Sequence, residues 1–496
     1  MSFNYIPGNL VAPIVTFEIS SGGQFENPSR LLLIGYKNTG ASLVDNTPTP
    51  CPTPYEARAL AGAGSMLDDM VRIARQNAPA LEIWIMSPTA AGTANVRTLT
   101  FSAPAEDGGQ GVIWINGEPV SVTLSAGATD EDAAAAIAAA INAYYNPLTE
   151  ASLPVTATVA AEVVTVTNRH GGAHGAEIDI YVPQMGGANA LYGAVAVATT
   201  TAGSGSPDLS TGLAAMGDDA FDWIVTAFAD DTNLGRLETL LSDVSGRWAW
   251  NRQIYGHAFY AKVDTVGNLT THGLAKDTRH LSCVPLVTGD GHYQASYLWA
   301  AAIVARSAVW LADGANGNVS RNQTGLAVAG ILAPRDRAKW LAYATRDAFL
   351  KSGLSTWSVD GGGNVVIDKI ITMQRTTAGV TDTTFRDIQK IGQITYGLRY
   401  LRQRVTIEHG QKAIADDNPA NLDSISTPLD IKATFAHAYL DLVRRGVFED
   451  YVGFIDRCTV TRDADNPNRV NVMASLDAVN PLDVIATNAK IYSQFR

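Results

Sequence analysis

The strongest constraint on this chain is an alternation of apolar strand-like runs with amphipathic helices that stops and later resumes. "RLLLIGY" (30–36) is followed by a helical pattern with Met66, Leu67, Met70, Val71, Ile73 and Ala74 on one face, then by "ALEIWIM" (80–86). Strands joined through helices form a parallel sheet covered on both faces. The alternation returns at "FDWIVTAF" (221–228). It continues with a helix over 233–249, with Leu234, Leu237, Leu240, Leu241, Val244 and Trp248 on one face, the strands "IYGHAFYAK" and "LSCVPLV", and a helix over 295–312. The expectation is one α/β core whose sheet is split in sequence by an insertion.

The interruption has another grammar. "GVIWINGEPVSVTL" reads as a hairpin turning at Asn116-Gly117. "TDEDAAAAIAAAINAYY" is an Ala-rich helix capped at Thr129, and "PVTATVAAEVVTVTN" is a strand pair. "TTTAGSGSPDLSTG" (199–212) has linker composition. Upstream, Ser65 with Asp68 has the spacing of a capping box. Downstream, "WSVDGGGNVVIDKIITM" reads as a hairpin, 384–407 and 431–446 as helices, and "CTVTRDADNPNRVNVMASL" (458–476) as a second hairpin. Near the start, "APIVTFEIS" alternates between Pro7, Pro13 and Gly22-Gly23; "NPLDVIATNAKIYSQFR" carries two short β-prone runs after Pro481. Both stretches read as extended arms. The expected division is an N-terminal arm (1–22), a core (23–95 and 200–350), an inserted α+β, β-rich outer domain (96–199), an α+β C-terminal domain (351–480) and a C-terminal arm (481–496).

Composition narrows the function classes. With 46% hydrophobic and 17% charged residues the chain buries sizeable cores. A net charge of −12 argues against wrapping nucleic acid, which requires basic stripes. The small group Arg399, Arg402, Arg404 reads as a solvated or salt-bridged helix face. Cys51, Cys283 and Cys458 are odd in number and lack CxxC spacing, which points to a reducing compartment without a disulfide framework or zinc site. "MSFNYIPGNL" lacks the features of a signal peptide. "LWAAAIVARSAVWLA" (298–312) contains Arg306 and is too short to span a bilayer. A soluble protein made in a cytoplasm, without membrane insertion, is expected.

Chemistry is sparse. There is no Walker A loop, HExxH or GxSxG. "AGAGS" (61–65) opens a helix and reads as a structural turn in preference to a phosphate cradle. His170 and His174, with Glu177, form the most metal-like cluster, but the surrounding glycines favour a flexible loop. His272 and His280 read as polar loop residues. No catalytic residue, metal or cofactor is expected.

In order along the chain, "SRLLLIGY", "GAGSMLDDMVRIARQNAPALEIWIM", "AFDWIVTAFADDTNL", "GILAPRDRAKWLAYATRDAFLKSGLSTWSV" and "DADNPNRVNVMASLDAVNPLDVIA" resemble the contractile-tail sheath proteins of bacteriophages, of the kind found in Mu-like phages. The resemblance implies a subtilisin-like, non-catalytic α/β core, an insertion facing outward, and a C-terminal domain lining the tail tube. It implies arms that add strands to sheets of neighbouring subunits. Ile14, Val15, Phe17 and Ile19 would act in the N-terminal arm, and Leu482, Val484, Ile485, Ile491 and Tyr492 in the C-terminal arm. Cys458, Val460, Val470 and Val472 would belong to the strand-accepting hairpin, with Arg399, Arg402 and Arg404 as tube-facing candidates. Implied partners are copies of the chain in helically stacked hexameric rings, the tail tube, the baseplate and the tail terminator, in a virion tail assembled in the host cytoplasm. Contraction would drive the tube through the bacterial envelope. Other readings are a tailocin or secretion-system sheath, a hydrolase on an α/β core, and a surface module whose insertion binds carbohydrate.

Overall fold

A computed structural model describes residues 29–102, 107–289 and 291–491. The first unit runs β1 (Arg30–Ile34), α1 (Pro54–Ala61), α2 (Met66–Asn77) and β2 (Glu82–Met86). The interrupting segment follows as β3 (Ala94–Phe101), β4 (Gly109–Ile115), β5 (Glu118–Leu124), α3 (Asp130–Asn142), β6 (Val155–Ala160), β7 (Val163–Gly171) and β8 (Val195–Thr201). The first pattern then resumes with β9 (Trp223–Thr226), α4 (Asp231–Leu241), β10 (His257–Asp264), α5 (Val266–Ala275), β11 (Leu281–Val287) and α6 (Ser296–Leu311). The remainder holds β12 (Ala327–Leu332), β13 (Thr356–Val359), β14 (Asn364–Lys369), α7 (Ile388–His409), α8 (Pro428–Arg444), α9 (Tyr451–Arg457), β15 (Thr459–Arg462) and β16 (Val470–Met473).

Strands from both sides of the interruption share one sheet, ordered β11-β10-β9-β1-β2 and parallel throughout, with Thr49–Pro50 added antiparallel at the β2 edge. Consecutive residues of β1 and β9 are buried, as a sheet covered on both faces demands. Strand order reverses between β1 and β9, so the carboxyl ends of these two strands flank a crevice where open α/β sheets ordinarily take ligands.

The inserted segment forms an antiparallel sheet β8-β3-β7-β6 and a smaller one in which β4 lies between β5 and Ile180–Tyr181. Helix α3 packs against both β5 and β6. Its Thr129 cap closes a full capping box with Asp132. The β4–β5 turn has Asn116 and Gly117 at φ 50° and 85°, both in the left-handed region a tight hairpin turn requires. Side chains of this segment and of the main sheet belong to one continuous buried cluster. A second cluster, around Tyr439, Leu442, Phe448 and Phe454, lies in the C-terminal part. Helix α7 joins the two: Ile388 and Ile391 enter the first cluster, Tyr400 and Leu401 the second.

Three readings need correction. The helix expected over 233–249 ends at Leu241; Ser242 turns extended (φ −50°, ψ 144°), Val244 is exposed, and Trp248 packs in a turn against Tyr255. His272 lies on α5 and not in a loop; His280 does sit in the turn ahead of β11, but it is buried there. The 199–212 stretch is not a loose linker. A Cβ on Gly203 would stand 2.3 Å from the Gly172 carbonyl, and Thr93 and Ser204 exchange backbone hydrogen bonds.

Candidate assembly surface

The C-terminal part is organised around Tyr439 on α8. Its ring stacks on Phe454 at 3.9 Å and on Phe448 at 5.4 Å. Its hydroxyl donates to the Glu449 carbonyl and accepts from the Asp477 amide. Thr427 and Asp430 form a capping box that fixes the start of α8. Beyond the hairpin the chain returns along α7, where Lys390 donates to the Ala478 carbonyl and Gln393 to that of Val479. Asn322 then donates to the Leu482 carbonyl at 2.5 Å, and Lys369 pairs with Asp483.

Past that clamp the described part of the expected C-terminal arm, up to Ile491, is uncovered. Leu482, Val484, Ile485 and Ile491 are 67%, 78%, 78% and 96% exposed. Among the described residues none beyond Ala478 pairs in a strand or bridge. Tyr492 and the N-terminal arm residues Ile14, Val15, Phe17 and Ile19 lie outside the described residues.

The hairpin expected over 458–476 is β15 paired antiparallel with β16, Val460 opposite Val472 and Arg462 opposite Val470. α8 packs against β15. Among the described residues β16 has no partner on its other edge. Val460 and Val470 are half-buried and Val472 is 37% exposed. Cys458 departs from the expectation: it is the buried C-cap of α9, one residue ahead of β15. Beside the hairpin opens a groove of about 1080 Å³, lined by Phe385, Leu398, Phe435, Val472 and Leu476 among others.

The three arginines do not form one surface. Arg399 is buried in a bidentate pair with Asp222, at 2.8 and 2.7 Å, and donates to the Ile254 carbonyl. Its role as a tube-facing charge is thereby corrected: it ties α7 to the start of β9. Arg402 is exposed and reaches Gln253; Arg404 pairs with Glu408 one turn away.

Residues 202–373 match the family described as the phage tail sheath protein central domain. The chain is 28% identical over 497 residues, 98% of each chain, to the Mu-like prophage FluMu tail sheath protein of Haemophilus influenzae. The domain match and the full-length likeness point the same way: the chain is similar to phage tail sheath proteins. Its fold is similar to the crystal structure of the sheath tail protein from Desulfitobacterium hafniense, with a TM-score of 0.51 and 14% identity over 94% of this chain and 97% of that one. The sheath tail protein from Listeria innocua gives 0.47 and 12% over 92% and 93%. The shared fold is a mixed α/β, multi-domain one.

Three places that could suggest enzyme chemistry are taken up by structural contacts, while a pocket of about 460 Å³ lined by His174, Glu177, Asp230 and Lys262 stays open at the crevice. The AGAGS turn has no room for phosphate: a Cβ on Gly64 would meet the Leu153 carbonyl at 2.3 Å, and Asp68 already accepts from the Gly64 amide. Ser65 caps α2 by accepting from the Asp68 amide. His257 and Ser282 are 2.8 Å apart, but both are fully buried and Ser282 donates to the Ile371 carbonyl. The pair is a structural hydrogen bond without access to substrate. His170 and His174 are not in an open loop; they fold back against Tyr36 at the β1/β9 crevice. Among the described residues no group of three or more His, Cys, Asp or Glu is placed to hold a metal. No helix among them is long and apolar enough to cross a membrane.

Sequence reasoning missed Asp222, Tyr439, Asn322 and Lys369. Asp222, Asn322 and Lys369 act through partners more than a hundred residues away, and Tyr439 through residues 448–477 beyond the end of its own helix, so no local pattern marks them.

Proposed function

We propose that this sheath subunit polymerises by strand exchange, its exposed C-terminal arm joining the open edge of a neighbour's β15–β16 hairpin. One observation carries the reading: a clamped chain runs out past Asp483 with apolar residues uncovered, while the same molecule holds a two-stranded sheet whose outer edge is free among the described residues. Two strands alone are marginal, and an added strand supplies main-chain hydrogen bonds. About six such bonds at roughly 0.5–1.5 kcal/mol each contribute on the order of 3–9 kcal/mol per arm. The Ile14–Ile19 stretch, by its alternation in sequence, is the second donor. The groove beside Val472 offers incoming side chains apolar contacts at Phe385, Leu398, Phe435 and Leu476 next to charged ones at Arg386, Lys390 and Asp477.

In this reading the core is subtilisin-like but non-catalytic, 96–199 faces outward, and 351–480 lines the tube with Arg402 and Arg404 near it. Hexameric rings stack helically around the tube, between baseplate and terminator, in a virion tail assembled in the host cytoplasm. Contraction drives the tube through the envelope, powered by new subunit contacts and not by nucleotide hydrolysis. Deleting 481–496 removes Asp483 and the Leu482 carbonyl that Asn322 bonds, yet Lys369 keeps Asp387 at 2.9 Å, so the fold loses on the order of 1–3 kcal/mol. The truncated chain is expected to stay folded by circular dichroism and monomeric by sedimentation. Stable tubes from it would sink the strand-exchange account.

A further inference from the structure

The inserted segment supplies hydrogen-bond acceptors to the N-termini of two core helices. His170 Nε2 accepts from the Met66 amide at the start of α2, at 3.3 Å. Asn116 Oδ1 accepts from the Ala295 amide and Glu177 Oε2 from the Ser296 amide at the start of α6, both at 2.9 Å. Helices α2 and α6 pack on each other beside the main sheet. The seat therefore rests on three side chains of one segment, at helix ends whose first amides have no partner within the helix.

We propose that His170 is a titratable clasp: as a neutral ring it holds the inserted segment on the core, and its protonation opens that seat while the core sheet stays folded. An imidazole nitrogen accepts a hydrogen bond only while it carries no proton. Protonated, His170 would present an N–H to the Met66 N–H and place a cation at the positive end of α2.

The surroundings offer no compensation. The ring is 8% exposed, 5.6 Å from Tyr36. His174 shares Tyr36 at 5.7 Å and meets Phe228 at 6.3 Å, so the two histidines titrate in one enclosure. From its own strand His170 faces Arg169, a further positive charge. From α2, Asp68 is engaged by the Gly64 amide and by Arg58 of α1. From the α4 N-terminus, Asp230 faces Tyr36 but is engaged by Asn233. Glu177 and Lys262 line the crevice beside His174, with Glu177 engaged by the Ser296 amide. Burial pushes His170 down to about 3 and His174 down to about 4.

The sign follows. A histidine whose pKa is lowered in the closed seat favours closure fully above its free value of about 6.5, and this advantage is lost as pH falls. Between pH 7 and pH 5 the open fraction rises about 25-fold for each histidine, about 600-fold for both.

The test is hydrogen exchange on the full-length protein at pH 7 and pH 5, corrected for intrinsic exchange and followed by mass spectrometry. Peptides covering 64–67 and 169–177 are expected to open several hundredfold more at pH 5, with 281–287 unchanged. His170→Gln keeps an acceptor at every pH and should reduce the rise to about 25-fold; His170→Gln/His174→Gln should abolish it. The same pH dependence in wild type and double variant, or loss of protection at 281–287 in step with the seat, would overturn the proposal. If His170→Gln does not fold, the His170 ring resonance in the native protein decides: titration near 6.5 refutes the clasp.

Discussion

Replacing Arg399 with Ala isolates a single buried interaction that spans the molecule. Asp222 is 4% exposed, and Arg399 bonds both of its carboxylate oxygens while also bonding the Ile254 carbonyl. Without the guanidinium, three charge-assisted bonds vanish and a carboxylate stays buried. Removing one partner of such a pair costs about 3–5 kcal/mol. Arg247, whose field reaches Asp222, offsets a little of this, which places the expectation toward the lower end. Urea unfolding followed by tryptophan fluorescence measures the change. Arg399→Ala/Asp222→Ala, which removes the orphaned charge as well, should be less costly than the sum of the two single variants. A loss below about 1 kcal/mol for Arg399→Ala, or strict additivity in the double variant, would refute the reasoning.

Two further outcomes follow from burial and from the sheet edges. Cys51, Cys283 and Cys458 are buried, and burial pushes the Cys51 and Cys283 thiols up to about 12, so the native protein at pH 8 should show no fast reaction with a disulfide reagent and three reactive thiols in urea. A rapidly labelled native thiol would contradict that packing. Asn142 closes the free edge of β6 by bonding both the amide and the carbonyl of Ala157, at 2.9 and 2.7 Å. Asn142→Ala should cost about 1–3 kcal/mol and raise light scattering through the opened edge, whereas an unchanged melting temperature would remove that role from it.

Local grammar made much of the fold legible. The Thr129 cap, the Asn116-Gly117 turn and the buried runs of β1 and β9 each write their geometry into a few adjacent residues. Contacts between distant segments did not read out. Val244 and Trp248 keep helical spacing past Leu241, yet the chain turns at Ser242 and the Gly246 amide bonds back to Ser242. The Gly-rich stretch near 203 resembles a linker because backbone packed on backbone leaves no side-chain pattern. The glycines around His170 and His174 read as flexibility, but Gly171 would place a Cβ 2.4 Å from the Gly92 carbonyl, so they allow close approach. Arg399 read as a solvated or salt-bridged helix-face residue, and its buried partner stayed hidden because Asp222 lies 177 residues away. Up to Ile491 the stretch after Pro481 shows no strand pairing, in keeping with apolar runs that no helical or hairpin pattern absorbs.

Negative-stain electron microscopy of the purified full-length protein tests the central claim most directly. A sheath subunit that polymerises through its own arms is expected to form tubes or stacks of rings. A monodisperse monomer that hydrolyses peptides would contradict it.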